Sequence, residues 1–162
     1  RINMIYEGTN TIQSLDLLGR KVLGNNGATL KKFGKLVGAL VAEEGVNEKM
    51  AEFITPIAVL GEQITKFTTE IGFKGFQNAD EVGAAAVDYL RVAGHLVFGY
   101  FFARMAQVAL REIAAGNTDP FYPAKLQTAR FYFAKLFPET ATLMRTARAG
   151  SKVLMDTDLA LA

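Results

Sequence analysis

The run NADEVGAAAVDYLRVAGHLVFGYFFARMAQVALREIAAGN, residues 78–117, decides the fold. Its apolar side chains Val82, Ala86, Tyr89, Ala93, Leu96, Tyr100, Phe101, Met105 and Val108 recur at three- and four-residue steps, the repeat of a helix rather than a strand. Asn78 followed by Glu81 sets the helix start as a capping box, with Asn in place of Ser or Thr. Gly116-Asn117 stops it after Ala115. A helix this apolar on several faces belongs at the centre of a bundle. Its most apolar part, Val92 to Leu110, is interrupted by His95, Arg104 and Gln107, so burial within protein is expected rather than a membrane span.

The same period continues on either side. A helix from Thr11 to Leu23 stops at Gly24-Asn25-Asn26-Gly27, and one from Ala28 to Glu44 carries Leu30, Phe33, Leu36, Val37, Leu40 and Val41 on one face. Gly34 and Gly38 on it would let a second helix approach closely. A helix from Glu48 to Ile71 contains Pro56, which should kink it or mark its true first turn, and Gly72 and Gly75 frame its end. After the rigid turn Asp119-Pro120-Phe121-Tyr122-Pro123 come helices from Ala124 to Leu136 and, opened by Pro138, from Glu139 to Leu154. The expected fold is all-α: an antiparallel up-and-down bundle of about four long helices preceded by a loop and helix. The boundary near Gly24 to Gly27 divides the chain into residues 1–24 and 25–162.

Composition narrows the function classes. Half of the 162 residues are hydrophobic, which suits one packed domain and excludes a disordered chain. There is no cysteine, so disulfides and thiolate metal sites are excluded, and a reducing compartment, the cytoplasm, is the expected location. A single histidine excludes paired-His metal ligation, and no metal is expected. A net charge of +2 is too small to point to nucleic acid. The opening residues are not those of a signal peptide.

Several residues invite a chemical reading and have a plainer one. His95 lies four residues after Arg91 and seven after Asp88, and could be a base oriented by a carboxylate; a hydrogen-bonded core histidine is the commoner arrangement. Glu43-Glu44 and Glu48 with Glu52 read as solvated helix ends rather than cation ligands. The Gly24–Gly27 turn lacks the Lys-Ser/Thr of a phosphate loop. The basic residues of the last third, Lys125, Arg130, Lys135, Arg145, Arg148 and Lys152, alternate with Phe131, Tyr132 and Phe133, but the rings fall at core spacing and leave a solvated basic face. Asp156 and Asp158 read as a frayed acidic end.

The stretch Ile5-Tyr6-Glu7-Gly8-Thr9-Asn10-Thr11-Ile12-Gln13 stands apart. It places one carboxylate, Glu7, on a tight loop before a helix. Gly8 permits a sharp turn, Thr9 or Asn10 can cap, and Ile12, Leu15, Leu18 and Val22 supply an apolar stripe. Held there and partly buried, a glutamate can serve as a general base; by spacing alone the run also reads as a capped helix with an exposed Glu. The wording is more specific than the spacing. Tyr6-Glu7-Gly8-Thr9, then Asn10-Thr11, then Ile12-Gln13 resembles the end of the catalytic domain in the acyl-CoA dehydrogenase family. Arg1-Ile2 before it and Leu15-Asp16-Leu17-Leu18-Gly19-Arg20-Lys21-Val22-Leu23 after it continue the likeness. More loosely, Phe121-Tyr122-Pro123-Ala124-Lys125, Thr128-Ala129-Arg130-Phe131-Tyr132 and Ala149-Gly150 before Leu154-Met155 resemble the extra C-terminal helical domain of the long bacterial members.

The resemblance implies the C-terminal piece of a longer flavoenzyme, expected because the motif sits at the very start of a chain opening on Arg1. It implies that Glu7 takes the α-proton of an acyl-CoA substrate, that Gly8 contacts that substrate, and that Thr9, Asn10 and Thr11 line an FAD. It implies electron-transfer flavoprotein as electron acceptor and a homo-oligomer. FAD is not expected on residues 1–162 alone, because a cofactor site needs convergent walls. The bundle is expected to be structural. The alternative is a non-catalytic helical oligomerisation or interaction module. The abundance of rings at Tyr89, Phe98, Tyr100, Phe101, Phe102, Phe131, Tyr132, Phe133 and Phe137 leads to the expectation that the chain self-associates through aromatic surface.

Overall fold

A computed structural model of the chain describes residues 9–156, and among these every regular element is helical. The first helix, α1, begins at Asn10–Leu15 and passes without a break into a π-helical segment, Asp16–Val22, and a 3₁₀ turn, Leu23–Asn25. Then follow α2 (Ala28–Glu44), α3 (Ala51–Gln77), α4 (Asp80–Ala114), α5 (Phe121–Phe131), α6 (Glu139–Ala147) and the short α7 (Lys152–Met155). A second π-helical segment, Tyr132–Leu136, extends α5.

The stretch that decides the fold forms the spine. Along the 35 residues of α4, roughly 52 Å, the buried positions Ala85, Tyr89, Val92, Leu96, Gly99, Ala103 and Ala106 alternate by four and three. Against this seam pack α3, α5, α6 and the first turns of α1. Helix α2 leans mainly on α3, with Val37 and Leu40 buried and Phe33 edge-on to Tyr100 of α4. The last three positions of the seam, Gly99, Ala103 and Ala106, are small, so large neighbours close in around that part of it. Phe102 stacks on Tyr132 with ring centres 4.3 Å apart, Phe53 meets Phe133 edge-on, and Phe67 stacks on Tyr89. The π turn lets the adjacent rings Tyr132 and Phe133 reach the core together with Phe137. The polar end of Tyr89, fully buried, shares a 2.7 Å hydrogen bond with Thr68, whose hydroxyl also donates to the Ile64 carbonyl.

Four expectations are corrected. First, Phe101 and Val108 are not core: they stand opposite the seam, and Phe101 is 60% exposed. Second, α3 runs on through Gly72 and Gly75 to Gln77. These glycines do not end the helix; they make room, since a Cβ on Gly75 would collide with Val82 at the start of α4 and one on Gly72 would come within 3.2 Å of Leu23. Third, no capping box forms at α4. Asn78 accepts from the Asp80 backbone at 3.0 Å, but the Glu81 carboxylate binds Ser151, taking its backbone N–H at 2.9 Å and its hydroxyl at 2.6 Å. Fourth, the last helix is broken. It stops at Ala147, Gly150 adopts a left-handed φ of 79°, and α7 restarts after Ser151. The Gly24–Gly27 loop is the turn expected: Asn26 and Gly27 are both left-handed, and the Gly27 N–H closes onto the Val22 carbonyl at 2.8 Å. Among the described residues Gly34 and Gly38 draw no helix close, because a Cβ on either would meet nothing within 4 Å.

Candidate functional site

The sequence places its strongest chemistry at the start of α1. Glu7 and Gly8 lie outside the described residues. Thr9 is in extended conformation (φ −66°, ψ 108°) immediately before the helix, and its carbonyl accepts from Gln13. Its side chain makes no capping bond; Ser14, one turn on, donates to the Thr11 carbonyl at 2.8 Å. Thr9, Asn10 and Thr11 are exposed polar residues, and the Thr9 side chain leaves the backbone N–H groups of the first turn uncapped. That arrangement suits the hydroxyl or phosphate groups of a cofactor, but it is one wall of a site and not an enclosure.

Only half of the stripe expected on α1 is buried. Leu18 is 0% exposed and Val22 5%, both within the bundle core, whereas Ile12 is 63% and Leu15 43% exposed. Ile12 and Leu15 lie on the face of α1 turned away from α4, the side on which Ser14 is buried, and in the π-helical winding that begins at Asp16 Leu18 and Val22 point inward. Asp16 holds Arg20 at 2.5 Å and Lys21 at 3.0 Å, and these hydrogen bonds, Arg20 first, bring its carboxyl down to about 2.

His95 proves to be joined to residues that spacing along its own helix does not reveal. Its Nδ1 lies 2.9 Å from the Tyr132 hydroxyl and its Nε2 3.1 Å from Glu139 Oε2, while Arg91 closes on the other oxygen of Glu139. Asp88 is not its partner; that carboxylate accepts from Thr146 at 2.6 Å. Hydrogen bonding from His95, foremost, and the charge of Arg91 hold the Glu139 carboxyl below the usual range. Burial pushes the Tyr132 phenol up to about 12, so it is a hydrogen-bonding group and not an activated nucleophile. The cluster ties α4, the π turn and α6 together, and it faces no cavity among those described.

The remaining charged candidates are ties as well. Glu43 accepts from Gln107 at 2.9 Å and pairs with Arg104, Glu52 pairs with Arg130 at 2.9 Å, and Glu70 pairs with Arg148, whose guanidinium lies over the Phe67 ring. Among the described residues no three His, Asp or Glu side chains converge as metal ligands, and no helix is long and apolar enough to cross a membrane.

Comparison with known proteins gives this geometry a setting. A family model described as acetyl-CoA dehydrogenase C-terminal like matches residues 28–158. The chain is 31% identical over 158 residues to 3-methylmercaptopropionyl-CoA dehydrogenase of Ruegeria pomeroyi, an alignment covering 95% of this chain and 26% of that protein. It is 25% identical over 148 residues to a broad-specificity linear acyl-CoA dehydrogenase of Mycobacterium tuberculosis, covering 85% of this chain and 24% of that protein. It is 27% identical over 146 residues to a butyryl-CoA dehydrogenase of Syntrophomonas wolfei, covering 86% and 23%. The chain thus spans about a quarter of the length of these relatives.

Proposed function

The chain belongs to the acetyl-CoA dehydrogenase C-terminal-like family, and on that premise we propose that it is the C-terminal helical part of a flavin-dependent acyl-CoA dehydrogenase, with Glu7 as its α-proton acceptor. The observation that carries the reading is the state of α1. Leu18 and Val22 anchor it in the bundle, while Thr9 to Thr11 present an uncapped polar start and Ile12 and Leu15 leave apolar surface open beside it. A helix fixed at one end and unfinished at the other suits a site completed by the rest of a longer protein.

In this reading residues 1–24 close the catalytic helical domain and residues 25–162 form the appended bundle. The start of the family match at residue 28 supports that division. Thr9, Asn10 and Thr11 would lie along FAD, which when bound supplies the hydride acceptor. Glu7 would remove the proton α to the thioester carbonyl of an acyl-CoA, giving a 2,3-enoyl-CoA once hydride leaves Cβ. The thioester α-proton is weakly acidic, so its removal requires both a positioned base and hydrogen bonds to the carbonyl oxygen; in this reading the Glu7 backbone N–H would give one. Gly8 would let the backbone approach the substrate closely. Electron-transfer flavoprotein is the proposed acceptor, and the exposed rings Phe98 and Phe101 on the outer face of α4 are the proposed contribution to a homo-oligomer.

The test is Glu7→Gln in the full-length protein, read by single-turnover bleaching of the flavin with acyl-CoA. A loss of roughly 10²-fold or more with flavin still bound is expected. Bleaching at the normal rate would remove Glu7 from the chemistry. In that event the run reads as a helix start preceded by an exposed Glu.

A further inference from the structure

Gly34 and Gly38, which draw no helix close among the described residues, open instead onto a long trough. Its first half, about 710 Å³, runs between α2 and α3 and is walled by Leu30, Val37, Val41, Ala58, Gly61 and Ile64. Its second half, about 700 Å³, continues past Gly72 and Gly75 to Phe76, with Leu23 and Val82 on its sides. The halves share Leu30, Lys31, Gly34 and Thr65, so they adjoin along one open groove. From Thr65 to Phe76 the second arm extends roughly 16 Å along α3.

Two features define what this trough can hold. The first is that its hydroxyls are already used: Thr65 donates to the Gly61 carbonyl at 2.9 Å, Thr69 to Thr65 at 3.1 Å, and Thr68 is bonded to Ile64 and Tyr89. The walls therefore offer little to a ligand that needs hydrogen bonds and suit an alkyl chain. The second is an asymmetry of charge. Lys31 lines both halves and Lys35 and Lys66 line the first, each next in sequence to a residue the halves share, and none of the three forms an ion pair with an acid among the described residues. Glu62 is the one carboxylate in the first half, and the second half has none. A second copy of α2 laid here would bring its own Lys31, Lys32 and Lys35 against these lysines, which disfavours a symmetric contact.

We propose that the trough binds a single-chain anionic amphiphile, its head at Lys31, Lys35 and Lys66 and its alkyl chain in the arm leading to Gly72, Gly75 and Phe76. A carboxylate or a phosphate head satisfies the same lysines. The inference rests on the trough alone and stands apart from the role assigned to Glu7.

The experiment is calorimetric titration of the 162-residue chain, below micelle formation, with laurate, dodecyl phosphate and dodecanol. Saturable one-to-one binding of either anion is expected, with dodecanol roughly tenfold weaker or more. Combined Lys31→Glu, Lys35→Glu and Lys66→Glu should weaken the anions to the level of dodecanol and leave dodecanol unchanged. Gly34→Leu fills open space at an exposed helix position, so it should keep the fold, checked by circular dichroism, and abolish all three titrations. The larger affinity of laurate or of dodecyl phosphate assigns the head group. The proposal is overturned by non-saturable heats, by dodecanol binding as well as the anions, or by binding that survives Gly34→Leu. It is also overturned if Gly34→Leu leaves binding intact but dissociates an oligomer in sedimentation, which would make the trough a contact between chains.

Discussion

Gly99→Ala is the sharpest test of the spine. Gly99 is buried in the seam of α4, and a Cβ there would come to 2.7 Å from Phe137 Cε2 and 3.0 Å from Ile57 Cγ2. The two walls press from different sides, one from beyond the π turn and one from α3. Ile57 is 0% and Phe137 6% exposed, so neither has open space into which to retreat. Overpacking of a fixed core costs typically about 1–3 kcal/mol, and with both walls held the upper half of that range applies. Against it stands the helix preference for Ala over Gly, roughly 1 kcal/mol. The net expectation is a loss of about 1–2 kcal/mol, or a fall in Tm of about 2–8 °C for a chain of this size. Gly94→Ala is the matched control, five residues earlier on the same helix, where an added Cβ meets nothing within 4 Å. It should gain about 0.5–1 kcal/mol. Urea denaturation followed by circular dichroism measures both, with the slope of the transition unchanged. If Gly99→Ala is as stable as Gly94→Ala, the close packing of α3 and the π turn on α4 is wrong.

Further outcomes follow from individual contacts. Tyr89→Phe keeps the stacking on Phe67 and leaves Thr68 its bond to Ile64, so urea denaturation should show a loss of only about 0.5–1.5 kcal/mol, the value of one buried hydrogen bond. Glu70, Glu81 and Glu139 are all held below the ordinary carboxylate range, chiefly by hydrogen bonds from Arg148, Ser151 and His95 respectively. A carboxyl depressed on folding stabilises above its unfolded pKa and loses that contribution as pH falls through its folded value. The urea midpoint should therefore be insensitive to these groups at pH 6 and decline below about pH 4.5, and Glu81→Gln should flatten its share of the decline and loosen residues 151–155 to hydrogen exchange. Leu18→Ala should cost about 2–5 kcal/mol in the chain, and in the longer protein it should slow flavin reduction without touching the site directly.

The sequence was most legible where periodicity and punctuation agreed. The spine, the Gly24–Gly27 turn and the bounds of α2 follow from apolar steps and loop residues, because helix geometry is local. It was least legible where a residue serves a distant partner. Glu81 has the spacing of a capping box, yet its carboxylate is used 70 residues away on Ser151. Gly72 and Gly75 have the look of a helix end, yet they are absences of a side chain demanded by Leu23 and Val82. The partners of His95 come from a π turn and a returning helix, neither of which has a local signature. The aromatic residues divided for a similar reason: Tyr89, Tyr132, Phe133 and Phe137 are core, while Phe98, Phe101 and Phe131 face outward. A three- and four-residue period marks several faces of α4 equally, and only the small residues at Ala85, Gly99, Ala103 and Ala106 say which of them turns inward. At the candidate site, the wording around Glu7 was readable, whereas the exposure of Ile12 and Leu15 depended on which face of α1 turns to α4.

The way α1 is held explains why a bundle bearing no chemistry of its own would matter to Glu7. Leu18 and Val22 enter the same core as α3 and α4, and the Gly27 N–H caps the Val22 carbonyl. Leu23 packs toward Gly72 so closely that a Cβ there would come within 3.2 Å of it. The axis of α1 is thus set by three contacts, one with Gly27 at the end of the loop and two with residues beyond it. Polar groups at its first turn inherit that axis, and in the proposed enzyme so would the loop carrying Glu7. Proton abstraction is sensitive to placement, since a shift of about 1 Å in a reacting group can cost roughly 10²-fold in rate. A rigid small-residue seam is a sound foundation for such placement, because close helix contact leaves little slack to transmit. On this reading the bundle contributes to catalysis by fixing an orientation, and its core substitutions should act on rate in proportion to how far they displace α1.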